Sequence, residues 1–250
     1  MNHALSTNIV ANYNQSEADY VSAVSSINGQ RRAHLDEQIT CIELAIEEEQ
    51  LSIEGLRSEV ECLAQKQQIG NIQSKLVQLR FQLVQLRKTF DRISEDVDDL
   101  RLQFRAIWTT PRVCSVWLEN TRLIYRTLPL YGRDHIGQWR CIGPFEISFS
   151  LQAPVLESFE WRNQNGSVNS MHGPPNISET TWTEYGVVQC AGNAQMVIDA
   201  AGEINDFPAL VAFSVRYPEC PGHEKNSSMT CWPRVPQDDV PEWYTEQFGA

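Results

Sequence analysis

Residues 72–107 have the sequence IQSKLVQLRFQLVQLRKTFDRISEDVDDLRLQFRAI, in which apolar side chains recur at spacings of four and three. This repeat fills the a and d positions of five heptads, a pattern that keeps one side of a helix facing a partner helix. It predicts one helix of roughly 54 Å at about 1.5 Å per residue. Because these apolar side chains form one seam that must be buried against another helix, we expect a coiled coil. Its predicted oligomerisation residues are Leu76, Leu79, Leu83, Leu86, Phe90, Ile93, Val97, Leu100, Phe104 and Ile107.

A weaker heptad series precedes this one in a different frame, and the mismatch falls at residues 67–71, around Gly70. Glycine is common just past the end of a helix, so the chain either turns there into an antiparallel hairpin or continues as one helix that changes phase. The flanking positions of the first series are acidic and those of the second are basic, which favours the hairpin. Three apolar residues outside the seam suit packing by more than two helices: Val77, Phe81 and Val84.

The ends of the helical segment follow from local signals. Residues 1–15 are polar and without period, which predicts a flexible arm. Residues 16–19 (SEAD) have the form of a capping box and predict a helix start. Pro111 disfavours helix at Thr110 and predicts its end. We therefore expect a coiled coil over residues 16–109, broken near 67–71, and a separate globular domain over residues 110–250.

The second domain is predicted to be α+β. Residues 144–152 alternate apolar with polar, the period of a half-buried strand, and residues 113–118, 122–128 and 159–162 are also predicted strands. Residues 166–186 are rich in Gly, Pro, Asn and Ser and predict a long loop. Helical spacing returns at 193–201 and 208–217. The expected order is an antiparallel meander, a loop and then helices.

Composition disfavours several classes of function. The chain has 20 Lys and Arg against 32 Asp and Glu, and neither half offers the basic surface that nucleic acid or anionic lipid requires. No secretory signal and no run of about 18 apolar residues occurs. Seven cysteines, an odd number, favour free thiols in a reducing compartment. We expect a cytoplasmic protein with a protein partner, no nucleic-acid or membrane partner, and no cofactor.

Part of the second domain resembles the ubiquitin-conjugating fold. The resemblance rests on residues 145–151, Pro154, residues 159–161 (FEW), residues 172–177 (HGPPNI) and residues 186–190 (GVVQC). It implies a meander, a His-Pro-Asn-Ile loop and a cysteine, Cys190, that carries ubiquitin as a thioester, with Asn176 and His172 beside it. The related RWD domains keep the fold, lack the cysteine and serve as interaction modules.

Two chemical readings of the cysteines compete with a structural one. Cys190 can act as a nucleophile if its thiolate is stabilised, and Asn176 can donate to an oxyanion. However, an extra Gly-Pro separates His172 from Pro175, and a buried structural role for Cys190 is favoured. Cys220, His223 and Cys231 are zinc ligands by type, but their spacing is irregular and a fourth ligand is missing from the motif.

The sequence therefore favours a non-enzymatic assembly or adaptor protein, with a coiled coil for self-association and a head that binds another protein. Two alternatives stay open. One is a ubiquitin-conjugating-like acyl carrier that uses Cys190. The other is a structural component of a virion or fibre, in which a coiled coil with a head is also frequent.

Overall fold

The computed structural model describes residues 2–58, 63–134, 136–152, 159–164, 200–216 and 233–242. Three helices come first: α1 (Asn2–Ser58), α2 (Leu63–Arg92) and α3 (Val97–Trp108). The strands and a further α-helix are β1 (Val113–Glu119), β2 (Arg122–Thr127), β3 (Tyr131–Arg133), β4 (Trp139–Cys141), β5 (Phe145–Ser150), β6 (Glu160–Asn163) and α4 (Phe207–Arg216), and a 3-10 helix follows at Gln237–Asp239. This mixture of helices and antiparallel sheet confirms the α+β class.

The N-terminal helix differs from its prediction. Helix α1 begins at Asn2, so residues 2–15 are helical where a flexible arm was expected, and Ser16 lies inside the helix rather than capping it. Ser16 is buried, and the Tyr13 ring three residues before it packs against the rings of Phe104 and Trp108. Tertiary packing of Tyr13 thus stabilises helical structure ahead of the local capping signal.

The second helical segment is interrupted at a place that the heptads do not mark. Residues 67–71 are helical within α2, so the break expected there is wrong. Instead α2 ends at Arg92 and α3 starts at Val97, which divides the predicted 72–107 helix in two. Asp96 is the N-cap of α3, and its carboxylate accepts hydrogen bonds from the N–H groups of Asp98 and Asp99. A strong cap therefore restarts the helix.

The chain divides into two compact units. One, which we call the hairpin, comprises Ser26–Glu95; the other, which we call the head, comprises Met1–Ser25 and Asp96–Ala250. The predicted division at residues 109 and 110 differs from this, because α3 and the first part of α1 belong to the head. Leu100, Phe104 and Ile107 of α3 are fully buried, so their apolar area stabilises the head.

In the hairpin, α1 and α2 run antiparallel. Glu43 of α1 pairs with Arg87 of α2, and Glu49 of α1 pairs with Lys75 of α2, so ascending positions on one helix meet descending positions on the other. This antiparallel pairing of α1 with α2 is the hairpin arrangement that the flanking charges favour. Where the structure describes side chains of this unit, the buried apolar residues are Ile27, Leu35, Ile39, Ile53, Leu76 and Ile93.

The head is built on a four-stranded antiparallel sheet in the order β1-β2-β5-β6. All four predicted strands are confirmed, and so is the helix predicted at 208–217, which is α4. Asn120 and Thr121 join β1 to β2 with φ angles of 54° and 80°, as a two-residue type I′ hairpin turn requires. The β3–β4 pair forms a second small sheet that was not predicted.

Candidate functional site

The residues proposed for chemistry lie outside the described part of the chain. These are Cys190, Asn176 and His172 of the acyl-carrier hypothesis, and Cys220, His223 and Cys231 of the zinc hypothesis. The predicted loop at 166–186 also lies outside it. Among the described residues, no group of three or more His, Cys, Asp or Glu side chains is placed to hold a metal ion.

The ten predicted oligomerisation residues fall in three environments. Leu76 and Ile93 are buried within the hairpin, whereas Leu79, Leu83, Leu86 and Phe90 are half-buried there. Leu100, Phe104 and Ile107 form part of the head core, and Val97 is 44% exposed. The heptad seam therefore packs inside the chain, and it does so in two different units.

The end of α2 is held by side chains of α1. Nδ2 of Asn28 donates a hydrogen bond of 2.6 Å to the carbonyl oxygen of Ser94, and the Arg32 guanidinium donates one of 2.9 Å to that of Ile93. Backbone carbonyls at and just past a helix end lack intrahelical partners. The side chains of Asn28 and Arg32 therefore provide hydrogen-bond donors for two carbonyls in the break between α2 and α3.

Helix α2 carries an exposed apolar row on the side facing away from α1. Val77, Phe81 and Val84 are 68%, 65% and 49% exposed, and their spacings of four and three place them on one face. Phe81 precedes Phe90 by nine residues, about two and a half turns, so it points opposite to the ring that contacts α1. We call these three residues the α2 stripe. Residues 63–90 contain five Lys and Arg and no acid.

Helix α1 carries a matching row that sequence reasoning missed. Leu44 and Leu51 are 56% and 67% exposed and lie one heptad apart. Leu44 follows the buried Leu35 by nine residues, so it also faces away from the seam. We call this pair the α1 stripe. Residues 33–56 contain seven Asp and Glu and no Lys or Arg. The sequence pattern that indicates the α1 stripe is a leucine at the centre of the polar face of an acidic helix.

The head core beneath α1 and α3 is aromatic. The Phe104 ring lies 5.4 Å from the Tyr13 ring and 5.4 Å from the Tyr20 ring, centroid to centroid. Tyr20 also meets Phe207 of α4 edge-on at 6.3 Å, and burial raises the pKa of its hydroxyl far above the ordinary value. These pairs add to the burial energy and fix α1 and α3 against α4.

A cleft of about 720 Å³ opens between α1 and strand β1 of the head. One wall is β1 from Cys114 to Glu119, the other is polar and comes from α1, and Trp108 lies at its side. The Trp117 indole donates a hydrogen bond of 3.0 Å to Glu119, and the Arg126 guanidinium lies 5.2 Å from the Trp117 ring. We call this the head cleft. Strand β1 is at one end of the described sheet, where a strand can accept an extended peptide.

Comparisons with known protein families, with curated proteins and with solved structures found no match for this chain. Among the described residues, no helix is both long enough and apolar enough to cross a membrane.

Proposed function

We propose that this chain is a non-enzymatic assembly or adaptor protein, whose hairpin mediates self-association and whose head binds another protein. The observation that carries the proposal is the exposure of Val77, Phe81 and Val84 on one face of α2. Large apolar residues scattered singly need no explanation, whereas a contiguous row on a helix favours a partner helix. The coiled-coil pattern of the same segment supports helix-on-helix packing as the mode of association.

The head cleft supports the second half of the proposal. Its aromatic side chains, Trp108 and Trp117, are residue types enriched at protein interfaces, and its position beside β1 suits an extended segment of a partner. The resemblance of residues 145–190 to RWD-like domains points the same way, because those domains serve as interaction modules.

The self-association is tested by sedimentation velocity of full-length proteins. Phe81→Asp places a charge in the α2 stripe, and burying that charge at an interface is costly, so the variant is expected to sediment as a monomer where the wild type associates. Ile136→Asp is the matched control, because Ile136 is 60% exposed but lies in the head. The proposal fails if both variants associate like the wild type.

Binding of a partner segment by the head is tested by selecting peptides from a displayed library on the full-length protein. Selected peptides are expected to lose binding to the Cys114→Arg variant, in which a long charged side chain occupies the head cleft. Leu128→Arg is the control, since Leu128 is 43% exposed and does not line the cleft. Peptides that bind all three proteins equally would contradict a binding role for the cleft.

A further inference from the structure

We propose that two copies of this chain associate through unlike helices, with the α1 stripe of one copy packed on the α2 stripe of the other. This inference rests on the proposed self-association and names the surfaces that perform it. The occupant of each stripe is a second copy of the chain, because the charges around the two stripes are complementary.

The charges beside the α1 stripe are negative. Glu47 lies three residues from Leu44 and four from Leu51, and Glu54 lies three residues beyond Leu51, so both flank the leucines on the helix surface. Both glutamates are exposed, whereas Glu43 and Glu49 pair with α2 inside the hairpin.

The charges beside the α2 stripe are positive. Arg80 lies three residues from Val77 and four from Val84, and Lys88 lies four residues beyond Val84, both exposed. Within the hairpin α2 uses Lys75 and Arg87 to pair with α1. Arg80 and Lys88 therefore stand beside the outward apolar row, where a second helix would meet them.

These charges select among the ways in which two copies can meet. Two α2 stripes face to face would bring Arg80 and Lys88 against their own copies, and two α1 stripes would oppose glutamates; like-charge contacts of this kind are disfavoured. An α1 stripe against an α2 stripe places Glu47 and Glu54 near Arg80 and Lys88. Since each stripe lies opposite the seam of its own helix, contact between unlike stripes is heterologous, the type that builds rings or filaments.

The test uses two full-length variants with reversed charge. The acidic variant is Arg80→Glu with Lys88→Glu, and the basic variant is Glu47→Lys with Glu54→Lys. Each alone brings like charges together, so we expect each to associate at least about tenfold more weakly than the wild type. In an equimolar mixture of the two variants, an acidic stripe of one can pack on a basic stripe of the other, and we expect association to return. Arg101→Glu with Arg105→Glu on α3 is the control with the same change in charge as the acidic variant.

Salt provides a second readout with opposite signs. Added salt screens the attraction in the wild type and weakens its association, whereas it screens the repulsion in each variant and strengthens association. Circular dichroism of each variant shows that the helices are intact before the masses are compared.

The outcomes separate the inference from the function on which it rests. A wild type that is monomeric at every concentration removes the proposed self-association itself. A wild type that associates while the basic variant associates equally well, or variants that do not recover on mixing, overturns the pairing of unlike helices and leaves self-association in place.

Discussion

The guanidinium carbon of Arg32 lies 4.1 Å from the centroid of the Phe90 ring. The same side chain donates to the carbonyl oxygen of Ile93 and lies 3.3 Å from a carboxylate oxygen of Glu95. One residue of α1 thus holds the end of α2 by three different contacts, and the antiparallel hairpin is closed there.

Replacement of Arg32 by alanine is expected to lower the free energy of unfolding by about 1–2 kcal/mol, from the lost cation–π contact and the lost donor to a carbonyl. Arg32→Lys keeps the charge but loses the planar guanidinium group, so its free energy of unfolding should lie between those of the wild type and of Arg32→Ala. Urea denaturation followed by circular dichroism measures both. Equal stability of all three proteins would mean that these contacts contribute nothing.

Helix α3 contributes to the core of the head, and substitution of Phe104 tests this placement. Phe104→Ala removes a fully buried ring and is expected to cost about 3–5 kcal/mol. Phe81→Ala removes the same group from a side chain that is 65% exposed, and should change the stability of the monomer by less than about 0.5 kcal/mol. Near-UV circular dichroism during denaturation reports on the head. Similar losses in the two variants would contradict the placement of α3 in the core.

Asp134 supplies a pH-dependent contribution to stability. Burial acts to raise its pKa, but the N–H groups of Gln138 and Ile136 and the guanidinium of Arg140 together hold the pKa below the ordinary 3.8. Because the folded pKa is the lower one, the ionised carboxylate stabilises the fold above pH 3.8, and that contribution is lost as the pH falls through the folded value.

Asp134→Asn should therefore cost about 2 kcal/mol at neutral pH, since it leaves the guanidinium of Arg140, whose side chain is only 13% exposed, beside a neutral group. The difference from the wild type should shrink in acid. Glu146→Gln is the control, because its partner Arg126 is 54% exposed and such a pair is worth less than about 1 kcal/mol. Denaturation at several pH values measures both; a constant difference across the acid range would refute the linkage.

Cys190→Ser is predicted to leave self-association unchanged and to cost about 1 kcal/mol of stability if the hydroxyl is buried without a partner. Valine and glycine near this cysteine supply no cation to stabilise a thiolate. A thiol-sensitive adduct with a ubiquitin-like protein, formed with an activating enzyme and ATP and absent in Cys190→Ala, would instead establish the acyl-carrier alternative.

The sequence predicts the elements whose pattern is local. Alternation in residues 145–150 and the apolar spacing of residues 207–216 lead directly to β5 and α4, because period two and period 3.6 each bury one face. The break at 93–96 has a local signal as well: Asp96 followed by Asp98 and Asp99 is a helix N-terminus. The uninterrupted heptad through Ile93 and Val97 masked that signal.

Other features depend on distant partners and have no local mark. Residues 2–15 contain no amphipathic repeat, yet Tyr13 packs against Phe104 and Trp108, more than ninety positions away. A glycine inside a helix, such as Gly70, lowers the stability of the helix by only about 1 kcal/mol relative to alanine. Because packing along α2 offsets this loss, the helix continues through a residue that commonly ends one. The α2 stripe was visible as three extra apolar residues, but its exposure depends on where α1 lies.

Sedimentation equilibrium of the wild-type protein over a wide range of concentration gives its native mass and so decides whether the chain self-associates through the hairpin. We expect a mass that rises with concentration above that of the 28.5 kDa chain, and that falls to the single-chain value in Phe81→Asp. A wild-type mass of one chain at every concentration would contradict self-association through the hairpin.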